Sequence, residues 1–192
     1  MEWKSEEFGA SHEGRAGAVL PDGSEPKPMY FDAGSGGGGQ TTSDWWVYDG
    51  TLGAPQAAGL RASCSCGWRG SSRYPIDWSE VPENRPYEYD TSGTYDDWEQ
   101  HIAVVEAQAV PLPDELADLL QRVDDQLSAL VDQAPVAALR AVAALERTTG
   151  RISRAAAYHA QADEVPWDSI GKSLGLTEKD ARSRLTSYAF RR

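Results

Sequence analysis

Cys64 and Cys66 stand one residue apart in Ala62-Ser-Cys-Ser-Cys-Gly-Trp68, and they are the chain's two cysteines. A bridge between them would close a tiny, strained loop, so they cannot staple distant parts of a fold. In an extended segment residues 64 and 66 point to the same face, and both sulfurs can then reach one ion at about 2.3 Å. Gly67 permits the sharp turn that a zinc knuckle needs. A closed structural zinc site takes four ligands. His101, in Asp97-Trp-Glu-Gln-His101 at the start of an expected helix, is the leading third candidate, because a helix docked on a sheet would bring it beside the thiolates. His12 follows as the fourth, and His159, Asp77 and Asp97 also carry suitable donor atoms. Two other readings stay open here: free thiols packed as compact apolar side chains, and a redox pair.

The second constellation lies in Glu164-Val-Pro-Trp-Asp-Ser-Ile-Gly-Lys-Ser-Leu-Gly-Leu-Thr-Glu-Lys-Asp-Ala-Arg-Ser-Arg-Leu-Thr-Ser-Tyr-Ala-Phe190. Trp167, Ile170 and Leu174 share one face of a short helix opened by Pro166, and Gly175 breaks it. Thr177 caps a second helix with Asp180 three positions on. If Ala181, Leu185 and Tyr188 face inward, then Glu178, Lys179, Arg182, Ser183 and Thr186 face out. Arg184 and Lys172 flank them as candidate phosphate contacts. Arg and Lys read guanine edges, while Glu178 can accept from a cytosine amino group. Glu178 and Asp180 also place negative charge where phosphates would lie.

The pattern Trp167-x-x-Ile170-Gly171-x-x-Leu174-Gly175-x-Thr177-x-x-x-Ala181-Arg182-x-Arg184 resembles the DNA-binding helix-turn-helix of sigma-factor region 4 and related small bacterial regulators. The resemblance spans residues 165–190 and implies a DNA-binding regulator of transcription. Likewise, Cys-x-Cys-Gly-Trp followed by Trp-x-x-His is similar to small zinc-binding modules of bacterial proteins. An acidic protein–protein adaptor, with the helix-turn-helix as scaffold, is the alternative.

Enzyme signatures are missing from the sequence. There is no Gly-x-Gly-x-x-Gly, Walker loop, Gly-x-Ser-x-Gly elbow or His-Glu-x-x-His. Neighbouring acids such as Asp96-Asp97 and Asp124-Asp125 diverge by about 100° on a helix and read as solvated faces. No enzymatic activity is expected.

The chain has 192 residues and a formal charge of −12, which suits one or two small domains and disfavours a general nucleic-acid binder. Charge is uneven, however. Residues 140–192 hold ten basic and six acidic side chains, a net of +4, against −16 for the rest. Such asymmetry fits two modules with different partners. No apolar run is long enough for a membrane span and no secretory leader opens the chain, so a cytoplasmic protein is expected.

Three segments must position these residues. Residues 1–43, with Pro21, Pro26, Pro28 and the run Gly34-Ser-Gly-Gly-Gly-Gly39, read as a flexible arm anchored at most by Trp3, Phe8 or Met29-Tyr-Phe31. Residues 44–110 read as a small antiparallel sheet of two or three strands, rich in Trp45, Trp46, Trp68 and Trp78, followed by a helix from Thr94 to Gln108 that carries Trp98. Residues 113–192 read as a helical bundle. Its most regular stripe is Leu116, Leu119, Leu120, Val123, Leu127, Leu130 and Val131. A next helix opens at Pro135 and ends at Gly150, and a third runs from Arg151 to Ala162. The fold class expected is α+β.

Overall fold

The computed structural model describes residues 2–31 and 40–190. It is α+β and divides into two units, Met1–Ala107 and Gln108–Arg192. In the first, strands β1 (Glu2–Ser5), β2 (Gly9–Val19), β5 (Gly59–Cys64) and β6 (Tyr74–Pro75) form an antiparallel sheet in the order β1-β2-β5-β6. Strands β3 (Met29–Phe31) and β4 (Gln40–Thr42) pair separately. Helix α1 (Ser92–Gln108) follows the sheet.

The expectation of a flexible amino-terminal arm is therefore corrected over the described part of residues 1–43. The Gly34–Gly39 run lies outside the described residues. β2 is an eleven-residue strand inside the sheet, and its register pairs Gly14 with Cys64 and Val19 with Gly59. His12, Gly14, Ala16 and Ala18 fall on its buried face and alternate with Glu13, Arg15 and Gly17. That is the period of two of a half-buried strand, written in small side chains. The size is required at Gly14, where a Cβ would lie 2.5 Å from the Trp98 ring.

Two apolar clusters sit in this unit. Ala16, Ala18, Trp45, Tyr48, Ala57 and Leu60 form one, flanked by Trp46, Trp78 and Tyr89. Ala62, Cys64, Trp98 and Ile102 form the other, with Trp3, Phe8, Cys66 and Trp68 against it. Thr94, Trp98 and Ile102 recur every four residues, so α1 lays one stripe on the sheet.

In the second unit, α2 (Asp114–Gln133) and α3 (Pro135–Ala162) form a helical hairpin, followed by α4 (Trp167–Ser173) and α5 (Glu178–Phe190). Gly150 does not end a helix. α3 runs through it for 28 residues, because a glycine inside a helix costs only about 1 kcal/mol relative to alanine. Ala157, Ile170, Ala181 and Leu185 make the core under α3, α4 and α5.

Candidate metal centre

Antiparallel pairing of Gly14 with Cys64 sets residue 12 across from residue 66, on the face that carries residue 64. β2 thus delivers His12 to the Cys-x-Cys segment. Three hydrogen bonds hold the two together: the Ser65 N–H donates to the Glu13 carbonyl (2.8 Å), the Glu13 N–H to Ser65 Oγ (2.9 Å), and Ser65 Oγ to the Ala10 carbonyl (3.1 Å). Beyond β5 the chain reverses at once. The Gly67 N–H donates to the Cys64 carbonyl and the Cys64 N–H to the Trp68 carbonyl, both at 3.0 Å. Gly67 takes φ +96°, a value a side chain would oppose. This folds the Trp68 N–H onto Cys66 Sγ at 3.4 Å.

α1 supplies the fourth group. His101 lies three residues after Trp98, on the buried stripe, and its ring stacks on Trp68 at 4.4 Å with planes 5° apart. Its Nε2 is 3.3 Å from His12 Nδ1 and 3.4 Å from Cys66 Sγ, and His12 Nδ1 is 3.5 Å from Cys64 Sγ. All four donor atoms lie within 4.8 Å of one another. A tetrahedral ion with metal–nitrogen bonds of about 2.05 Å and metal–sulfur bonds of about 2.3 Å has edges of about 3.3 Å between nitrogens and about 3.6 Å between nitrogen and sulfur. The three separations match those edges within about 0.2 Å. His12, Cys64, Cys66 and His101 are thus gathered in a geometry compatible with a metal site.

Electrostatics prepares the same set. The Cys66 thiol hydrogen-bonds the Cys64 sulfur, and with the His12 ring it outweighs burial and holds the Cys64 thiol well below its usual range. The same contact, with burial, pushes the Cys66 thiol up, since its proton is the one the pair keeps. Burial lowers the His101 pKa and favours the neutral imidazole that a metal requires.

The other candidate ligands are elsewhere. Asp77 closes a turn on Ser79 (2.6 Å), His159 is exposed on α3, and Asp97 lies outside the cluster with a buried Oδ2 that has no hydrogen-bond partner. What the sequence does not reveal is the role of Trp68, which both stacks on His101 and donates to Cys66.

In the second unit the helix pair forms as its pattern suggests. Ala181 and Leu185 are buried and Tyr188 is half-buried, while Lys172, Glu178, Lys179, Arg182, Ser183, Arg184 and Thr186 are exposed. Thr177 Oγ1 accepts the Asp180 N–H (3.1 Å) and donates to its carboxylate (2.6 Å). Gly171 is fixed by contact, since a Cβ there would lie 2.8 Å from the Leu176 carbonyl oxygen. Two cations are already engaged. Arg182 pairs with Glu178 (2.8 Å) and lies 5.1 Å over the Trp167 ring, and Lys172 reaches Asp168 at 3.6 Å. Among the described residues Lys179 and Arg184 form no ion pair.

Comparison with protein-family models, with curated proteins and with solved structures finds no significant match. Among the described residues, no helix is long and apolar enough to cross a membrane.

Proposed function

We propose that the protein is a sequence-specific DNA-binding regulator of transcription whose amino-terminal unit is held by a structural zinc ion. One observation carries the DNA reading: Gly171 of α4 packs against the 176–178 turn and Ala181 of α5 is buried with Ile170, which leaves Lys179, Arg182, Ser183 and Thr186 exposed on the first turns of α5. Those are the turns a recognition helix presents to base edges in the major groove. Lys172 and Arg184 stand beside them for phosphates. The likeness to sigma-factor region 4 supports the same reading.

Zinc suits two thiolates and two imidazoles in a tetrahedron, being of borderline softness and without geometric preference of its own. Four protein donors leave no open position for water, so the ion's work is to hold β2, β5 and α1 together. A reducing cytoplasm, where DNA-binding regulators act, keeps such thiols available.

The experiment is selection from random duplexes by the full chain, followed by affinity against salt. One enriched motif is expected, with affinity falling steeply as salt rises. Arg182→Ala should cost about 1–3 kcal/mol on that motif and relax one or two positions, whereas Lys172→Ala weakens all sequences alike. No enrichment and no duplex binding at low salt would refute the reading. The adaptor alternative draws on one observation, the Glu178–Arg182 pair that neutralises the central cation of the face.

A further inference from the structure

Helix α2 has an apolar stripe and buries none of it. Leu119 and Leu120 are each 52% exposed, and on α3 Val136 is 78% and Leu139 69% exposed. In all, ten aliphatic side chains of α2 and α3 expose more than a third of their surface. A helix of 20 residues draws most of its stability from packing an apolar face, so this hairpin is short of a partner. Its charges are divided between the two helices. α2 holds six acids and one base, and α3 holds four arginines and one glutamate. Yet among the described residues no α2 carboxylate forms a salt bridge with Arg140, Arg147 or Arg151.

We propose that the α2–α3 hairpin is a homodimerisation element, in which α2 of each copy packs along α3 of the other to close a four-helix bundle. A second copy answers the exposed stripe and the charge division at once. Two-fold symmetry makes every contact twice, so the acidic α2 meets the basic α3 on both sides of the axis. Packing α2 on α2 would instead set six acids beside six. The ten aliphatic side chains offer apolar surface of the order that a stable interface buries, about 800 Å² per partner. Near-parallel helices packing apolar stripes are the ordinary construction of such bundles.

The test is the mass of the full chain in solution, by light scattering on an eluting peak and by sedimentation equilibrium. The expected mass is twice 20.9 kDa. Two charge-reversed chains sharpen it, one with D118R, D124R and D125R and the other with R140E, R147E and R151E. Each alone should dimerise at least tenfold more weakly, with helical circular dichroism unchanged. Mixed in equal amounts they should recover the doubled mass as a heterodimer, because each reversed helix then faces its complement. A wild-type chain that stays at 20.9 kDa up to about 100 μM overturns the proposal, a different protein or the chain's own amino-terminal unit then being what covers the face. It is equally overturned if the reversed chains dimerise as wild type, or if mixing restores nothing.

Discussion

Cys66→Ser removes one donor from a set that joins three distant parts of the chain: His12 on β2, Cys64 at the end of β5 and His101 on α1. A serine hydroxyl stays protonated at neutral pH and does not replace a thiolate ligand. The size of the loss follows from comparing two magnitudes. Structural zinc binds with about 10–16 kcal/mol at pH 7, while a whole domain is stable by about 5–15 kcal/mol. Since that binding energy is folding energy, losing it is comparable with the whole stability of a unit this size. The wild-type chain, purified without chelators, should carry about one zinc per chain, and the variant less than about a tenth. Near-ultraviolet circular dichroism should report the disordering of Trp68 and Trp98. The same collapse should follow chelation, and it should also follow acid: thiolates and neutral imidazoles bind metal, so protons compete. Burial lowers the His101 pKa, so imidazole competition begins below the ordinary value of about 6.5. Cobalt substitution adds a check independent of stability, a thiolate-to-cobalt absorption band that Cys66→Ser should weaken. A wild-type chain with less than about a tenth of an equivalent of any transition metal, melting identically with and without chelator, refutes the reasoning.

Gly14→Ala should cost about 1–3 kcal/mol and weaken zinc binding, because its Cβ would lie 2.5 Å from a rigid indole that fixes α1; a competition titration with a chromophoric chelator checks it, and unchanged affinity would sink it. Gly171→Ala gains up to about 1 kcal/mol of helix propensity but sets a methyl 2.8 Å from the Leu176 carbonyl oxygen, which is backbone and cannot swing away, so thermal unfolding of the carboxy-terminal unit should move down. Burial raises the Glu25 pKa, but the Arg69 and Arg61 guanidiniums, each at 2.7 Å, outweigh burial and leave it lowered. A lowered acid stabilises above its unfolded value of about 4.3 and loses that contribution as pH falls through the folded value. Glu25→Gln should therefore be less stable than wild type at pH 7, by at most about 1 kcal/mol for so exposed a pair, and the gap should close as pH falls through the folded value. A deficit that persists in acid would place the effect elsewhere.

The chemistry-bearing residues were legible in the sequence because their types are rare and their spacing is local. Cys64 and Cys66 share a face through two-residue spacing, and the inward set Ala181, Leu185 and Tyr188 follows helical spacing. The amino-terminal strands were hidden by their composition. β2 alternates as strictly as any strand, but its inner residues are His12, Gly14, Ala16 and Ala18, and glycine and alanine raise little hydrophobic contrast against Glu13 and Arg15. Prolines and the nearby glycine run then dominate the segment. Register was hidden for a different reason, since the pairing of Gly14 with Cys64 joins residues 50 apart and no local pattern encodes it. His12 could be named as a donor, but only the sheet places it.

The small residues and the donor set belong to one design. Burying an alanine gains only about 0.8 kcal/mol per methyl, against about 1.5–3 kcal/mol for a valine or leucine, so the β2 face of Ala16 and Ala18 forgoes several kcal/mol that a larger strand would supply. What it obtains is proximity. Trp98 lies flat enough on Gly14 to leave no room for a Cβ, and this brings α1 close enough for His101 Nε2 to stand 3.3 Å from His12 Nδ1. A valine at position 14 would bury more surface but collide with the Trp98 ring, and so work against the close approach of α1 that sets the nitrogen pair. The apolar stabilisation missing from β2 and the close approach that a metal at these four residues would need are two consequences of the same choice, which is why withholding the proposed ion should unfold a unit that already contains six tryptophans.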